Sequence, residues 1–335
     1  MTAAVLQPLQ HVTQLQVQLE DSDAAGVVQH IGTMTNLQDL QLGGLRVGPG
    51  EFERVSVKIT ELTALTKLQL LGLRGVDLGT SYSQLSPNAA ALMAWLPTLQ
   101  ELSSLQLRAV HGLSRRRLLL GPMPDSFEPD TAFSALAAGS ALKHLDLRDT
   151  KLGKEAWRGA FPADYKFDSI TSLRFGDATD ADSSGFDFFH VAVSACPNLR
   201  ELQYTGACTA GLSVSEQMLQ QATALTKLTI REAKQGYPPQ LGHLSQLKSL
   251  QLLGLKVDRV EMFVEDMQQL SLLTQLSFLR LEVHSQDMGP TALSSFQLLC
   301  SVFDGMAATA ERCQDDKAAF ATWSLVSKVG SAVLA

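Results

Sequence analysis

The chain has 335 residues, of which 45% are hydrophobic and 18% are charged, so it is too apolar for intrinsic disorder and long enough to bury a core. Its formal net charge of −7 argues against general affinity for nucleic acid, because phosphate binding needs a surplus of Lys and Arg on one face. The composition therefore predicts a folded protein that binds no nucleic acid.

The two ends of the chain predict neither secretion nor a membrane span. The N-terminal stretch MTAAVLQPLQHVTQLQVQLED lacks an early positive charge and a continuous apolar core of signal-peptide length. Residues 319–335 form the most apolar tail, but Ser324, Ser327 and Lys328 interrupt it and it is shorter than a membrane-spanning helix. We expect this tail to pack against the rest of the protein.

The cysteines and asparagines indicate a reducing compartment. The four cysteines are widely spaced and form no CxxC pair, which argues against a zinc site and a disulfide framework. None of Asn36, Asn88 and Asn198 begins a glycosylation sequon. We expect an intracellular protein without metal or cofactor, located in the cytosol or in an organelle interior, with the cytosol favoured.

A short apolar phrase recurs along the chain. ALTKLQLLGL at 64–73 returns as ALTKLTI at 224–230 and as QLKSLQLLGL at 246–255. Such recurrence is typical of a solenoid, in which each unit hides its apolar face by stacking on its neighbours. The pattern apolar-x-x-apolar-x-apolar fits ten segments, which begin at Val12, Leu37, Leu65, Leu102, Leu142, Ile170, Leu199, Leu225, Leu247 and Leu276.

Each segment predicts a strand with one apolar and one polar face. The last two apolar residues of the pattern are two apart, so both point to one side of a strand, and the residues around them point to the other. The last repeat fits two registers, because Leu273-x-x-Leu276-x-Phe278 matches the pattern as well as Leu276-x-x-Leu279-x-Leu281.

Helix signals stand between several of these strands, which predicts an α/β solenoid with parallel strands. Two longer connections, 75–85 and 111–129, are predicted to leave the coil, either as functional loops or as harmless insertions. The predicted helices begin at or just after Ser86, Asp130, Phe186, Ser213 and Val260.

The repeated pattern resembles the LxxLxLxxNxL motif of the leucine-rich-repeat family over residues 12–283. YPPQLGHLSQLKSLQL at 237–252 resembles plant-type units, and ACPNLRELQY at 195–204 resembles cysteine-containing units. The resemblance implies an α/β leucine-rich-repeat solenoid of about ten repeats, with a curved parallel sheet on the concave side and helices and loops on the convex side. The family's asparagine position holds other residues in repeats two to ten, so no asparagine ladder is expected.

The loss of the motif near residue 290 predicts two domains. Residues 1–290 form the solenoid, and residues 291–335 are predicted to form a helical C-terminal cap of two helices around residues 311–316. At the other end, the first strand QLQVQL is predicted to be an open sheet edge, which either a partner covers or a natural N-terminus further upstream protects.

No catalytic motif occurs among GxxxxGK[ST], GxSxG and HExxH, so we do not expect an enzyme. The polar strand positions predict a protein-binding surface instead, because six of the ten residues between the last two apolar positions are glutamine. The residues predicted to contact the partner are Lys67, Gln69, Leu71, Gln106, Arg108, His144, Asp146, Arg148, Arg174, Gln203, Lys227, Arg231, Gln251 and Leu253.

Charges at the outward positions favour a partner with an acidic segment. Cations outnumber anions there by three, although the whole chain is acidic. Guanidinium groups such as those of Arg108, Arg148 and Arg174 bind carboxylates bidentately. The alternative is internal pairing, for example of Asp146 with Arg174 on the next strand.

The sequence therefore predicts a non-enzymatic protein-interaction module that binds a protein through the concave face of the solenoid. Two alternatives stay open. One is a structural subunit of a large intracellular assembly, and the other, suggested by ACPNLREL alone, is the substrate-recognition subunit of a ubiquitin ligase.

Overall fold

The computed structural model divides the chain into two compact units, Met1–Phe186 and Asp187–Ala335, which we call unit 1 and unit 2. Each unit is described by itself. The residues that the structure describes are 11–18, 24–44, 58–71, 98–108, 141–148, 161, 165–175, 191, 194–205, 222–231, 244–256, 273, 275–284, 306–315 and 318–327.

Unit 1 contains a parallel sheet whose strands follow one another in chain order. One helix of eight residues, α1, connects the first two strands. The elements are β1 (Gln14–Gln18), α1 (Ala24–Ile31), β2 (Asp39–Gly43), β3 (Lys67–Leu71), β4 (Ser104–Arg108), β5 (His144–Leu147) and β6 (Ser172–Phe175).

Unit 2 contains four parallel strands followed by an antiparallel hairpin. The parallel strands are β7 (Glu201–Thr205), β8 (Lys227–Arg231), β9 (Ser249–Lys256) and β10 (Phe278–His284). The hairpin strands are β11 (Met306–Asp315) and β12 (Ala318–Ser327), and β12 lies beside β10, so the order is β7-β8-β9-β10-β12-β11.

The strand register confirms the repeated motif, because the leucines at its second apolar position are direct partners on neighbouring strands. In unit 1 these are Leu40, Leu68, Leu105, Leu145 and Leu173, each at most 1% exposed. In unit 2 they are Leu202, Leu228, Leu250 and Leu279, all 0% exposed. Full burial of one such side chain is worth about 1.5–3 kcal/mol, so these columns are the core. The pairing of Leu279 with Leu250 selects the register Leu276-x-x-Leu279-x-Leu281 for the last repeat.

A turn before the strands adds an apolar position that the sequence pattern did not include. The backbone N–H of Leu65 donates to the carbonyl of Leu62 at 3.0 Å, and Leu62 is fully buried. The repeating unit is therefore apolar-x-x-apolar-x-x-apolar-x-apolar. The same turn and burial recur at Met34, Leu99, Phe167, Cys196, Ala222, Leu244 and Leu273.

Hydroxyl side chains join successive repeats where the strands begin. The carbonyl of Gln38 accepts the backbone N–H groups of Thr66 and Lys67 at 2.9 and 3.0 Å and the hydroxyl of Thr66 at 3.1 Å. Three donors from one repeat therefore converge on one carbonyl of the preceding repeat and share its two lone pairs. The same hydroxyl contact to the preceding repeat is made by Ser103, Thr171, Thr226 and Ser277.

The prediction of a helical cap over residues 291–335 is wrong for 306–315 and 318–327, which are strands. The register of β12 on β10 opposes Leu325 to Leu279 and Trp323 to Leu281, with Ser324 opposite Arg280. This alternation of apolar and polar residues suits a strand, and the second edge of β10 supplies the backbone partners, so pairing outweighs the helix propensity of the alanines. The domain boundary at residue 290 stays a prediction.

The predicted helices lie mostly outside the described residues. Residues 191, 194 and 195 are helical, within the helix predicted from Phe186. The helices predicted near Ser86, Asp130, Ser213 and Val260 and the connections 75–85 and 111–129 fall on residues that are not described. The helix α1 was not predicted from the sequence.

Candidate protein-binding face

The side of each sheet opposite the leucine columns carries polar side chains, and we call it the polar face. Its centre is the residue between the last two apolar positions of each repeat, and these residues are direct partners on neighbouring strands, which lie about 4.8 Å apart. They are Gln16, Gln41, Gln69, Gln106, Asp146 and Arg174 in unit 1 and Gln203, Thr229, Gln251 and Arg280 in unit 2.

Four glutamines follow one another across β1 to β4 on the polar face of unit 1. Gln16 is exposed, while Gln41, Gln69 and Gln106 are partly exposed. A primary amide offers two N–H donors and a carbonyl acceptor, the same groups that a peptide backbone presents. This column can therefore hydrogen-bond to either kind of group on a partner.

Two lysines that were predicted to contact the protein partner, Lys67 and Lys227, form ion pairs with acidic residues on neighbouring strands. The ammonium of Lys67 lies 3.0 Å from Asp39, its direct partner on β2, and the ammonium of Lys227 lies 2.8 Å from Glu201, its direct partner on β7. Half-exposed pairs of this kind add little stability. Their consequence is that these two cations already have counterions within the sheet, while the net positive surplus expected on this face is unchanged.

Asp146 on β5 forms a bidentate ion pair with Arg148, two residues further along. The Nη2 atom of Arg148 donates to one carboxylate oxygen at 2.7 Å, and its Nε donates to the other at 2.9 Å. The backbone N–H of Arg148 donates to the same carboxylate at 3.1 Å. The sequence offered an ion pair of Asp146 with Arg174 on the next strand as an alternative, and the register does place these two residues opposite each other. The bidentate partner of Asp146 is nevertheless Arg148.

The polar face of unit 2 contains a buried amide and a buried hydroxyl on neighbouring strands. Gln203 is 8% exposed, and its direct partner Thr229 is 5% exposed. Within the described part of the chain, the Nε2 atom of Gln203 is buried and donates to no acceptor. Gln203 was predicted from the sequence to contact a partner. Thr229 was not, although it stands at the same motif position as the glutamines.

The other predicted contact residues also lie at polar-face positions, in or directly after the strands. His144 and Arg231 are exposed, while Leu71, Arg174 and Gln251 are partly exposed. Arg108 and Leu253 have their backbones in β4 and β9, and their side chains are not described. In unit 1, β3 and β4 bring Lys67, Gln69 and Leu71 next to Gln106.

Within the described ranges, no group of three His, Cys, Asp or Glu side chains is arranged to hold a metal ion. In the same residues, no helix has the length and apolar character needed to cross a bilayer.

The repeated motif, the parallel strands and their register define the fold of each unit as a leucine-rich-repeat solenoid. Two solved structures to which the chain is similar are internalins from Listeria monocytogenes. An internalin (inlF) is 18% identical, with 87% of each chain covered and a TM-score of 0.36. An internalin C2 is 16% identical, with 80% of this chain and 87% of the internalin covered and a TM-score of 0.32. No protein-family model matches the sequence, and no curated protein matches it either.

Proposed function

We propose that the protein is a non-enzymatic protein-interaction module that binds a protein partner through its polar face, the concave face of a leucine-rich-repeat coil. The observation that carries the proposal is the register of the strands. The leucine columns account for the core, so the polar columns are not needed for it and present hydrogen-bonding groups at a fixed spacing of about 4.8 Å. A rigid array of this kind binds without first ordering its side chains, which reduces the entropic cost of association.

The test compares two substitutions in one repeat. Gln106→Lys places a charge on the polar face, while Gln100→Lys makes the same change at an exposed turn residue before β4. After affinity capture and mass spectrometry have identified the partner, Gln106→Lys should weaken its binding by at least about tenfold, or about 1.4 kcal/mol, and Gln100→Lys should not. Equal affinities in calorimetry would exclude this part of the polar face.

The finer parts of the proposal concern partner and compartment. An acidic segment suits the exposed guanidinium of Arg231, whereas Lys67, Arg148 and Lys227 already have carboxylate partners. We place the protein inside the cell, with the cytosol favoured, because the widely spaced cysteines suggest no disulfide framework and no asparagine begins a glycosylation sequon. We also propose that residues 237–252 form a plant-type repeat and that residues 195–204 form a cysteine-containing repeat.

A second candidate function, a subunit that assembles through its first strand, is favoured by the position of β1. Among the described residues, β1 pairs with β2 alone, and Gln14, Gln16 and Gln18 are exposed. An open edge of this kind can accept a strand from another chain.

Charging this edge tests the second candidate. Replacing Gln16 and Gln18 with Lys should reduce self-association measured by light scattering. The matched control replaces the exposed Gln100 and Gln246 with Lys, which adds the same charge away from β1. If both double variants scatter like the parent protein, the edge does not drive association.

A further inference from the structure

Gln203 holds a hydrogen-bond donor in a buried part of the polar face of unit 2, where no described acceptor meets it. The residue is 8% exposed, and its Nε2 atom meets no acceptor among the residues that the structure describes. Buried polar atoms in folded proteins are nearly always bonded, because a donor removed from water without an acceptor costs free energy. A donor left in this state indicates that its acceptor comes from a bound ligand.

The surroundings of this amide specify the chemistry of that acceptor. Thr229, its direct cross-strand partner on β8, adds a buried hydroxyl. Arg231 follows two residues later on the same strand, is exposed and forms no ion pair with any described residue. Side chains at such diagonal positions stand about 7–8 Å apart and can be spanned by one small group.

The charges favour a carboxylate over a neutral carbonyl. At one end of this strand pair Glu201 and Lys227 neutralise each other at 2.8 Å, while at the other end the charge of Arg231 has no described counterion. A guanidinium binds a carboxylate through two parallel hydrogen bonds, and an amide N–H beside it can donate to one of the same oxygens. A neutral carbonyl would leave the cation unmatched.

We propose that Gln203, Thr229 and Arg231 form a carboxylate-binding subsite that receives an Asp or Glu side chain of the protein partner. The identity of the ligand as a protein rests on the proposed function. The carboxylate chemistry does not, because it can be tested on the isolated chain.

The test uses N-acetylglutamate N-methylamide as the probe and N-acetylglutamine N-methylamide as its neutral control. Titration of the ¹⁵N-labelled full chain should shift the side-chain amide resonances of Gln203 in a saturable manner with the first compound only. Arg231→Gln should weaken this binding by at least about tenfold, because it removes the charge-assisted pair. Arg200→Gln makes the same charge change at an exposed residue just before β7 and should leave binding unchanged. A response to both compounds, or one that Arg231→Gln leaves intact, would overturn the subsite.

The variant Gln203→Met separates a ligand-binding role from a structural one, since it keeps the length of the side chain without its donor. Loss of the side-chain amide resonances in this variant assigns them to Gln203. Binding of the probe is then followed at the Nε–H resonance of Arg231, which should no longer respond. Its Tm should equal or exceed that of the parent protein, because no internal hydrogen bond is lost. A lower Tm would show that the amide is bonded within the fold and would overturn the proposal.

The two proposals fail in different ways. Failure of the glutamate probe to bind, together with a captured partner that Gln106→Lys weakens, overturns the subsite and leaves the proposed function standing. Saturable binding of the glutamate probe together with a partner indifferent to both polar-face variants counts against the proposed function and leaves the subsite.

Discussion

The same motif position has different surroundings on two strand pairs, β3–β4 in unit 1 and β7–β8 in unit 2. Gln69 and Gln106 in unit 1 are partly exposed, whereas Gln203 and Thr229 in unit 2 are buried. All four stand between two leucine-type positions and pair directly with a neighbour on the next strand. The motif therefore determines which way a side chain points, while its burial depends on what surrounds it.

The leucine face does not differ in this way. Leu68 and Leu105 in unit 1 are as fully buried as Leu228 and Leu250 in unit 2. The contrast between these two strand pairs thus lies on the polar face alone. We expect the leucine face to set stability and the polar face to set binding, and three substitutions test this separation in decreasing order of effect.

The largest effect is expected for Leu145→Ala. Leu145 is 1% exposed and lies between Leu105 and Leu173 on the neighbouring strands. Its truncation should lower the free energy of unfolding by about 2–5 kcal/mol, because the cavity persists between stacked repeats. Urea unfolding measures the loss, with Gln106→Ala on the polar face of the next strand as the control. Superimposable curves for Leu145→Ala and the parent would contradict the core assignment.

An intermediate effect is expected for Asp146→Ala, the polar-face change that should lower stability most. The side chains of Asp146 and Arg148 are 12% and 18% exposed, so the loss removes a bidentate partner in a largely dry site and should cost about 1–3 kcal/mol. Asp39→Ala breaks the pair with Lys67, whose side chains are 28% and 42% exposed, and should cost less than about 1 kcal/mol. Equal losses in denaturant unfolding would show that burial does not distinguish the two pairs.

The smallest effect is expected for Thr66→Val, which removes the hydroxyl that donates to the carbonyl of Gln38 but keeps the shape of the side chain. The contact is exposed, so the expected loss is about 0.5–1 kcal/mol. Thr63→Val is the matched control, because Thr63 is an exposed threonine in the same turn that makes no such contact. A loss no greater than that of the control would mean that the hydroxyl contacts do not couple the repeats.

The strands, their direction and their register could be predicted from the sequence because the apolar spacing encodes them locally. Alternation within LxxLxL fixes the two faces, and recurrence of the phrase fixes the stacking. The apolar turn position shared by Leu62 and Cys196 could have been found by the same method, since it lies three residues before eight of the ten motifs.

Other features depend on contacts that no local pattern encodes. The residues of β12 are rich in alanine, and pairing with β10 on one side and β11 on the other makes them a strand. The burial of Gln203 depends on its surroundings in the fold, although an exposed glutamine has the same sequence signal. Asp146 pairs with Arg148, two residues along its own segment, whereas the sequence-based alternative paired it with Arg174 on the next strand. Which of the two arginines binds the carboxylate depends on the side-chain geometry in the fold.

The hydroxyl contacts at the start of the strands have a direction that bears on synthesis. Thr66 donates back to Gln38 and Ser103 donates back to Thr66, so each acceptor belongs to a segment that the ribosome has already made. A newly emerged repeat can therefore donate these hydrogen bonds to its predecessor without waiting for later sequence, and ordered growth from the N-terminal end suits a repeat array that contacts only its neighbours. Truncation from the C-terminal end removes donors and returns one carbonyl to water at the cut, whereas truncation from the N-terminal end leaves a hydroxyl and two backbone N–H groups without their acceptor.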